Sequence, residues 1–426
     1  MQLQRAKHMR GTLRVPGDKS IAHRALILGS IARGKQVIEG APAAADVRTT
    51  ASCLRSLGTF IEEMPDGRLL VLSKPFAPSK ALDAGNSGTT ARLLSGLLAG
   101  HPIETTIDGD ASLRKRPMQR IADPLTRMGA TITTSDGHLP LTISGSKLTG
   151  IEYQLPVPSA QIKSAILLAG LFAKGTTHIE EAIASRDHTE RMLEAMSVPV
   201  IRENGTVSVT GGTTPKATQI RVPGDISSAA FFVVAATCLE GSELYLPTVG
   251  INPTRTGALT VLESMGAHVE YVNQDTFSNE PIADIVVKSA KLVAATIDAS
   301  MIPSLIDELP ILAVAATQAE GETVVSGAGE LRHKESNRIT AIVQNLKSLG
   351  ADIEESPDGF AVRGPTALRG TGLPSFGDHR IAMAMAVAGL MASGETQIDD
   401  SDVIGVSYPT FFHDLLSVLQ MDTSDL

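Results

Sequence analysis

The sequence contains no tryptophan and few aromatic residues of any kind, which make up 3% of its 426 residues. Hydrophobic residues still account for 42%, so the core must be filled by aliphatic side chains and methionine. Two cysteines, Cys53 and Cys238, are too few for a disulfide framework and lack metal-ligand spacing. Apolar stretches such as 229–239 and 381–392 are shorter than the roughly 18 residues that a membrane helix requires. These absences exclude a disulfide-stapled or membrane-spanning protein and predict a globular protein of the cytoplasm.

Net positive charge is also missing, because the formal net charge is -9 at pH 7. Proteins that coat nucleic acid need a basic face to neutralise phosphates, so no nucleic-acid partner is expected. Small anions remain possible ligands, since locally crowded Arg and Lys can focus a positive potential in a cleft. Glycine-rich dinucleotide and nucleotide-phosphate loops and zinc spacings are absent as well. The sequence therefore predicts neither a metal nor a bound cofactor.

A repeat organises what is present. Six segments share an apolar helix, a small turn and a short strand, and recur at intervals close to one sixth of the 426-residue chain. Their turn glycines are Gly34, Gly100, Gly175, Gly241, Gly321 and Gly394. A second family of one-sided helices interleaves with the first, at Leu54, Leu125, Leu193, Leu262 and Leu346. We expect the first kind of helix to be buried on all sides and the second to lie partly in solvent.

Six such repeats predict an α/β protein of two pseudo-threefold domains, each with buried helices inside a shell of sheet. A solenoid is the alternative, although a repeat of this length is long for one. A duplicated tetrapeptide, Val-Pro-Gly-Asp at 15–18 and 222–225, predicts a hinge. The first domain is then 18–223, and the second is 1–17 plus 224–426.

Polar motifs precede each apolar helix, at the end where free N–H groups and the positive end of the helix dipole make a natural anion site. Single serines in these motifs could be ordinary N-caps. Caps do not explain basic residues in or just inside the first turn, where a cation opposes the dipole unless an anion is recruited. Those residues are Lys19, Arg24, Arg92, Lys163 and Arg380. The pattern favours a site for small anions.

Further basic residues crowd three segments: DASLRKRPMQR, SRDHTER and ELRHKESNR. Such runs usually form a solvated face, but here they lie at loop-to-helix junctions, where phosphates and carboxylates are bound. Two carboxylates stand out among the cations, Asp307 and Glu335. They are either salt-bridge partners or proton carriers. His379 is either a site residue or a packed histidine.

Nine collinear motifs resemble the 5-enolpyruvylshikimate-3-phosphate synthase family of enolpyruvyl transferases: PGDKSIAHRALILGS, LDAGNSGTTARLL, GDASLRKRPM, PSAQIKSAILLAGL, SRDHTERML, PGDISSAAFF, IDELPILAVAA, LRHKESNR and GDHRIAMA. The resemblance implies a monomer of two inside-out α/β domains, each of three βαβαββ-type units, closing over shikimate 3-phosphate and phosphoenolpyruvate. It implies transfer of the enolpyruvyl group to the 5-hydroxyl through a tetrahedral intermediate, release of phosphate, no cofactor, and inhibition by glyphosate.

By the same resemblance, Asp307, Glu335 and Lys19 would be catalytic, with Asp307 accepting the proton of the 5-hydroxyl. The residues expected to bind shikimate 3-phosphate are Lys19, Ser20, Arg24, Ser159, Ala160, Gln161, Ser185, Arg186, Asp307 and Lys334. Those expected around phosphoenolpyruvate are Lys19, Gly88, Arg116, Gln161, Arg338 and Arg380, with Arg338 and Arg380 on its carboxylate. Asn86, Thr89 and Arg92 would order the donor loop.

Two departures and two rival functions remain. No Lys or Arg follows Arg380, so one phosphate contact is unassigned, and Ala160 stands where some relatives have a second serine. The related UDP-N-acetylglucosamine enolpyruvyl transferases typically carry a reactive cysteine before the arginine-rich turn, whereas residues 101–120 contain none. A nucleic-acid clamp or RNA end-processing protein is disfavoured by the acidity and by the lack of aromatic stacking positions.

Overall fold

The structure, a computed structural model, describes residues 1–78 and 81–421. The chain divides into two compact units. The first unit comprises Gly17–Pro223 and Thr276–Glu280, and the second comprises Met1–Pro16, Gly224–Asp275 and Pro281–Leu426. The boundaries after Pro16 and after Pro223 each fall inside a Val-Pro-Gly-Asp segment. The second predicted domain runs to residue 426, and its last five residues lie outside the described part of the chain.

The first unit alternates helices with short strands. Its helices are α1 (Lys19–Gly29), α2 (Ala45–Ser56), α3 (Gly88–Ala99), α4 (Gln119–Met128), α5 (Ala160–Gly170) and α6 (His188–Ala195). Its strands are β3 (Lys35–Glu39), β4 (Phe60–Glu63), β5 (Leu69–Leu72), β6 (Ala81–Asp83), β7 (Glu104–Asp108), β8 (Thr131–Ser135), β9 (His138–Ser144), β10 (Glu152–Gln154), β11 (Thr176–Glu180), β12 (Val200–Glu203), β13 (Thr206–Thr210) and β14 (Gln219–Arg221).

Three four-stranded sheets of the first unit share one topology. Their orders are β14-β3-β5-β4, β6-β7-β9-β8 and β10-β11-β13-β12. In each, the first pair is parallel and the next two pairs are antiparallel. Because β14, from the end of the unit, pairs with β3 near its start, the three repeats close on themselves. This closure is not a solenoid, and it confirms the α/β fold of repeated βαβαββ units.

Helices α1, α3 and α5 form the core of this unit, and nearly every residue beyond their first turns is buried. Small residues on these helices permit close packing. A Cβ on Gly96 of α3 would lie 2.2 Å from the carbonyl oxygen of Ala165 on α5. The two backbones therefore touch where glycine leaves room.

The second unit repeats the scheme with larger variations. Its helices are α7 (Ile226–Cys238), α8 (Gly257–Ser264), α9 (Ile302–Leu305), α10 (Leu309–Thr317), α11 (Arg338–Ser348), α12 (His379–Met391) and α13 (Phe411–Val418). Its strands are β1 (Gln2–Leu3), β2 (Ala6–Thr12), β15 (Glu243–Gly250), β16 (His268–Phe277), β17 (Glu280–Lys288), β18 (Leu292–Val293), β19 (Thr296–Ile297), β20 (Ala319–Val325), β21 (Asp352–Ser356), β22 (Gly359–Gly364), β23 (Gly372–Pro374), β24 (Thr396–Asp399) and β25 (Leu419–Met421). The tip joining β16 to β17 belongs to the first unit.

Buried helices again form the core of the second unit, with α7, α10 and α12 apolar around their circumference. The chain's two ends complete the sheets: β1 pairs with β24, and β2 pairs with both β15 and β25. The one-sided helices end as the repeat predicts, for example α4 at Gly129, which has φ of 116°. At α6 the left-handed turn is taken by Ser197 instead of glycine. Within the described residues, no helix has the length and apolar character needed to cross a membrane.

Candidate active site

Ten of the predicted site residues lie in the first unit: seven at or near the N-termini of its three buried helices, and three on the segments that precede α4 and α6. We call them the serine–arginine cluster: Lys19, Ser20, Arg24, Gly88, Arg116, Ser159, Ala160, Gln161, Ser185 and Arg186. The remaining five lie in the second unit. We call these the carboxylate–arginine cluster: Asp307, Lys334, Glu335, Arg338 and Arg380.

Helix α1 presents the first part of the serine–arginine cluster. Asp18 caps the helix by accepting a hydrogen bond from the Ile21 amide at 3.0 Å. Lys19, the first helical residue, places its Nζ 3.3 Å from the Asp46 carboxylate on α2. The amine is thus held beside α1 and remains partly exposed. Because Ser20 lies inside the helix, its hydroxyl is not used as the cap.

Arg24 lies one turn deeper and is almost fully buried. Its Nε donates to Thr189 Oγ1 and its NH2 to Ser164 Oγ, both at 2.7 Å. Its NH1 donates to the Ser20 carbonyl oxygen at 2.9 Å. Burial lowers the pKa of Arg24 to about 10, against the opposing attraction of Glu190. The guanidinium therefore stays charged at neutral pH and supplies fixed positive charge beneath α1.

Helices α3 and α5 are joined by Gln161. Its Oε1 accepts from Arg92 NH1 at 2.5 Å, and its Nε2 donates to Thr89 Oγ1 at 3.0 Å. Gly88 is the first residue of α3, after the cap Ser87. Arg116, just before α4, donates to Asn86 Oδ1 at 2.8 Å. These contacts hold the loop before α3 in place, and the guanidinium groups of Arg92 and Arg116 both lie close to Gly88.

Ser159 caps α5, although its contact with the Ile162 amide is long, at 3.4 Å. Ala160 follows as the first helical residue. This helix start therefore has one hydroxyl, and Ala160 adds no polar group. A phosphate or carboxylate could draw on the free N–H groups of α5 here.

Ser185 and Arg186 lie on the loop between β11 and α6. Ser185 donates its hydroxyl to Glu181 in a short contact and its amide to the same carboxylate at 3.3 Å. Arg186 lies near enough to Arg24 for their charges to oppose each other. The hydrogen bonds to the buried Glu181 carboxylate thus order this loop without a ligand.

Lys163 does not face an external anion, although its position in the first turn of α5 predicts that it does. Its amine is buried and lies 2.7 Å from both Glu181 and Glu190, so the anion it recruits comes from the protein. Burial by itself lowers the pKa of Lys163, but the two carboxylates outweigh it and hold the pKa above its usual value. Lys163 also donates to the Ser185 carbonyl at 3.2 Å, which ties the Ser185 loop to α5.

Arg338 is the centre of the carboxylate–arginine cluster and is almost completely buried. Its Nε donates to Asp378 at 2.8 Å, its NH2 to Glu335 at 2.6 Å, and its NH1 to Asp307 at 3.3 Å. Asp378 caps α12 and has no exposed surface. Burial alone would raise its pKa, but Arg338 outweighs burial and holds the pKa of Asp378 below its usual value.

Asp307 meets three cations of the second unit. Besides Arg338, it lies 3.7 Å from Lys334 Nζ and 4.0 Å from Arg380 NH2. Arg380 also donates to the Asp307 carbonyl oxygen at 3.1 Å and lies 3.6 Å from Glu308. Glu308 is buried and accepts a short hydrogen bond from the hydroxyl of Ser227.

The structure therefore brings the five predicted residues of the second unit into one cluster and links those of the first unit in smaller groups, and it adds carboxylates that the sequence reasoning did not select. Those carboxylates are Asp46, Glu181, Glu190, Glu308 and Asp378. A weak signal existed for two of them, since Glu308 and Asp378 directly precede apolar helices. The others pair with cations 18 to 27 positions away along the chain, a separation that carries no sequence pattern.

Chemically, the first unit offers hydroxyls, free helix N–H groups and arginines, which suit phosphates and carboxylates. The second unit offers two partly exposed carboxylates held among cations, which suit proton transfer beside an anionic ligand.

Comparison with known proteins identifies a family whose members match this chain over almost its whole length. The family model described as EPSP synthase (3-phosphoshikimate 1-carboxyvinyltransferase) matches residues 3–415. A Brevibacillus brevis protein named 3-phosphoshikimate 1-carboxyvinyltransferase is 49% identical over 422 residues, which is 98% of this chain and 99% of that protein. A Bacillus cereus protein of the same name is 50% identical over 418 residues, 96% of each.

Solved structures agree with the fold. An EPSP synthase from Acinetobacter baumannii superposes with a TM-score of 0.88 at 42% identity, covering 98% of both chains. A second structure of EPSP synthase from that organism gives a TM-score of 0.87 at 41% identity, with the same coverage.

Proposed function

The chain belongs to the EPSP synthase family, and on that premise we propose how its two clusters perform enolpyruvyl transfer. The reaction joins the enolpyruvyl group of phosphoenolpyruvate to the 5-hydroxyl of shikimate 3-phosphate and releases phosphate. The observation that carries the proposal is the carboxylate–arginine cluster, where Asp307 and Glu335 share one buried arginine and stay partly exposed. At the start of α7, by contrast, the paired Asp225 and Arg255 are both buried.

In this proposal the serine–arginine cluster holds shikimate 3-phosphate. Ser20 and Arg24 bind its carboxylate, while Ser159, Ser185 and Arg186 bind its phosphate. Gln161 lies beneath the ring, and Ala160 contributes its amide at the start of α5. The support is electrostatic: Arg24 remains charged when buried, and helix N-termini with neutral serine caps favour anions.

Phosphoenolpyruvate needs positive charge at both its ends. We propose that Arg338 and Arg380 bind its carboxylate, and that Lys19, Gly88, Arg116 and Gln161 surround the rest of the molecule. A planar guanidinium matches a carboxylate with two parallel hydrogen bonds. Lys334 completes the cationic surroundings of Asp307, at 3.7 Å.

The proton movements follow from these positions. Asp307 accepts the proton of the 5-hydroxyl as its oxygen bonds to the donor's second carbon. Glu335, with Lys19, moves protons to and from the donor's methylene carbon. Preorganised cations around the site stabilise the charge that develops in the transition state, without reorganisation at the moment of reaction.

We also propose that the two Val-Pro-Gly-Asp segments act as hinges and that the protein works as a monomer in the cytoplasm. The free, unpaired state of Cys53 and Cys238 favours a reducing compartment. The two segments are hydrogen-bonded to each other, since the Asp18 amide donates to the Pro223 carbonyl and the Asp225 amide donates to the Pro16 carbonyl, both at 2.8 Å. Scattering that shows an unchanged radius of gyration with saturating shikimate 3-phosphate would count against the hinges, and light scattering measures the mass in solution.

The activity is tested by phosphate release with phosphoenolpyruvate and either shikimate 3-phosphate or UDP-N-acetylglucosamine. We expect phosphate release only when shikimate 3-phosphate is the acceptor. Mass spectrometry should then show a product heavier than shikimate 3-phosphate by the enolpyruvyl group. Release that requires UDP-N-acetylglucosamine would assign the chain to the rival enolpyruvyl transferase reaction.

A further inference from the structure

Arg338 has few donors left for a ligand. A guanidinium carries five N–H groups, and Arg338 uses four of them within the protein. Asp378 takes one from Nε at 2.8 Å and one from NH2 at 3.3 Å. Glu335 takes the second N–H of NH2 at 2.6 Å, and Asp307 takes one from NH1 at 3.3 Å. Among the described residues, one N–H of NH1 has no acceptor.

The four contacts are not equally accessible. Asp378 has no exposed surface and grips the guanidinium from the interior. Asp307 and Glu335 lie on the other side, with 14% and 20% of their side chains exposed. A carboxylate ligand that approaches from solvent therefore meets the tip formed by NH1 and NH2. Two parallel hydrogen bonds need one N–H from each nitrogen. NH1 has one to give, but NH2 does not while Glu335 occupies it.

We propose that the donor's carboxylate displaces Glu335 from Arg338, and that the released Glu335 carboxyl group then supplies the proton for the donor's methylene carbon. The inference rests on the proposed function. It adds that binding of the donor itself releases Glu335, the general acid of the reaction, from its ion pair. Until the donor binds, Glu335 is held as an ion-paired carboxylate.

Displacement of Glu335, and not of Asp307, follows from the geometry at Arg338, because Glu335 holds the NH2 N–H that the second parallel hydrogen bond needs, whereas NH1 can bind Asp307 and the ligand together. Asp307 keeps Lys334 at 3.7 Å and Arg380 at 4.0 Å if its hydrogen bond with Arg338 weakens. Glu335 lies between the 3-10 turn Gly329–His333 and the start of α11, outside regular structure, so its side chain can move away. Arg338 attracts the Glu335 charge, and Asp378 repels it. When Glu335 no longer pairs with Arg338, the repulsion by Asp378 remains. The Glu335 carboxylate is then protonated more easily.

The chemical step balances. The Glu335 carboxyl O–H breaks and its proton forms the new C–H bond with the electron pair of the donor's double bond. The second carbon, left electron-deficient, bonds to the 5-oxygen of shikimate 3-phosphate. The proton of that hydroxyl goes to Asp307. One proton enters from Glu335 and one leaves to Asp307, so neither an oxidant nor a further reactant is required.

Glu335→Gln tests the exchange, because a neutral amide holds Arg338 about half as strongly as a carboxylate does. The ligand is glyphosate, added to protein saturated with shikimate 3-phosphate and followed by calorimetry near pH 6 in buffers of different ionisation enthalpy. We expect the wild type to take up protons on binding. The variant should lose this uptake and bind about three- to tenfold more tightly, while turnover falls about a hundredfold or more.

Glu322→Gln is the matched control, since Glu322 forms an exposed ion pair with Arg363 at 2.7 Å across strands β20 and β22 of the same unit. It should leave affinity, proton uptake and turnover unchanged. Weaker binding by Glu335→Gln, or undiminished proton uptake, would overturn the exchange even if the wild type releases phosphate normally. Failure of the wild type to release phosphate would instead reject the proposed function. Glu335→Ala, with its melting temperature, repeats the binding test should the Gln variant misfold.

Discussion

The two units start their buried helices with different chemistry. In the second unit the caps of α7, α10 and α12 are all carboxylates: Asp225, Glu308 and Asp378. All three are buried, and each lies near an arginine, at distances of 3.1, 3.6 and 2.8 Å. In the first unit two of the three caps, Ser87 and Ser159, are neutral.

A carboxylate at a helix N-terminus satisfies the dipole from within the protein. A neutral serine satisfies one N–H group and leaves the electrostatic demand to a ligand. The repeat therefore presents two kinds of helix start. We propose that the paired acids and arginines of the second unit serve proton transfer, and that the serine-capped helix starts of the first unit bind the anionic groups of the substrates.

The largest effect is expected where the second unit loses an acid. Asp307→Asn keeps the size of the side chain and removes its capacity as a base, so turnover should fall about a hundredfold or more. Binding of shikimate 3-phosphate should survive, as equilibrium titration can show. Near-normal turnover of a correctly folded variant would make Asp307 a structural partner of Arg338.

The second-largest effect is expected when a helix cap of the first unit is changed from a serine to a carboxylate, which should weaken the binding of shikimate 3-phosphate. Ser159→Asp keeps a good N-cap, so the melting temperature should hold. Its negative charge opposes the phosphate of shikimate 3-phosphate at short range, and we expect KM for that substrate to rise on the order of a hundredfold. Ser159→Asn, a neutral cap, is the control. Equal KM values for the two variants would refute the distinction between the caps.

A smaller effect is expected at the donor loop of the first unit. An added Cβ on Gly88 would lie 3.0 Å from Arg92 NH1 and 3.3 Å from Arg116 NH1, both ends of flexible side chains. Gly88→Ala should therefore fold, while the inhibition constant of glyphosate, which is longer than phosphoenolpyruvate, rises about tenfold. KM for phosphoenolpyruvate should change much less.

Gly372→Ala serves as the glycine control, because a Cβ there meets nothing within 4 Å. It should leave both constants unchanged. Parallel changes in the two constants of Gly88→Ala would contradict the steric explanation.

The smallest effect concerns acid stability of the first unit. Burial lowers the pKa of His23 in α1 from 6.5 to about 4. Between these values the unfolded chain binds a proton that the folded chain does not, so stability falls as pH falls through this window. The loss should be about 1 kcal/mol from pH 6 to pH 5 in denaturant titrations. His23→Gln should flatten this slope, and an unaltered slope would assign it to other groups.

The sequence predicts the fold well because its signals are local. An apolar circumference marks α10 as buried, and glycine marks the end of α4. Site residues next to helix starts are found for the same reason. The sequence does not reveal that Lys163 is neutralised by Glu181 and Glu190, because such pairs form when distant segments meet. Nor does it predict that Glu280, on the hairpin tip, reaches the first unit and lies 2.7 Å from the buried His188 ring.

The strand pairings of the second unit have a consequence for how the protein is made. Strands β1 and β2 leave the ribosome long before their partners β24 and β25, which lie at 396–399 and 419–421. At roughly 5 to 20 residues per second, the N-terminal strands wait on the order of 20 to 80 s for these partners. The first unit also lacks its 276–280 tip until well after its main segment has emerged. The nascent chain thus carries unpaired strand edges until residues 396–421 have been made, and the second unit can close only after that.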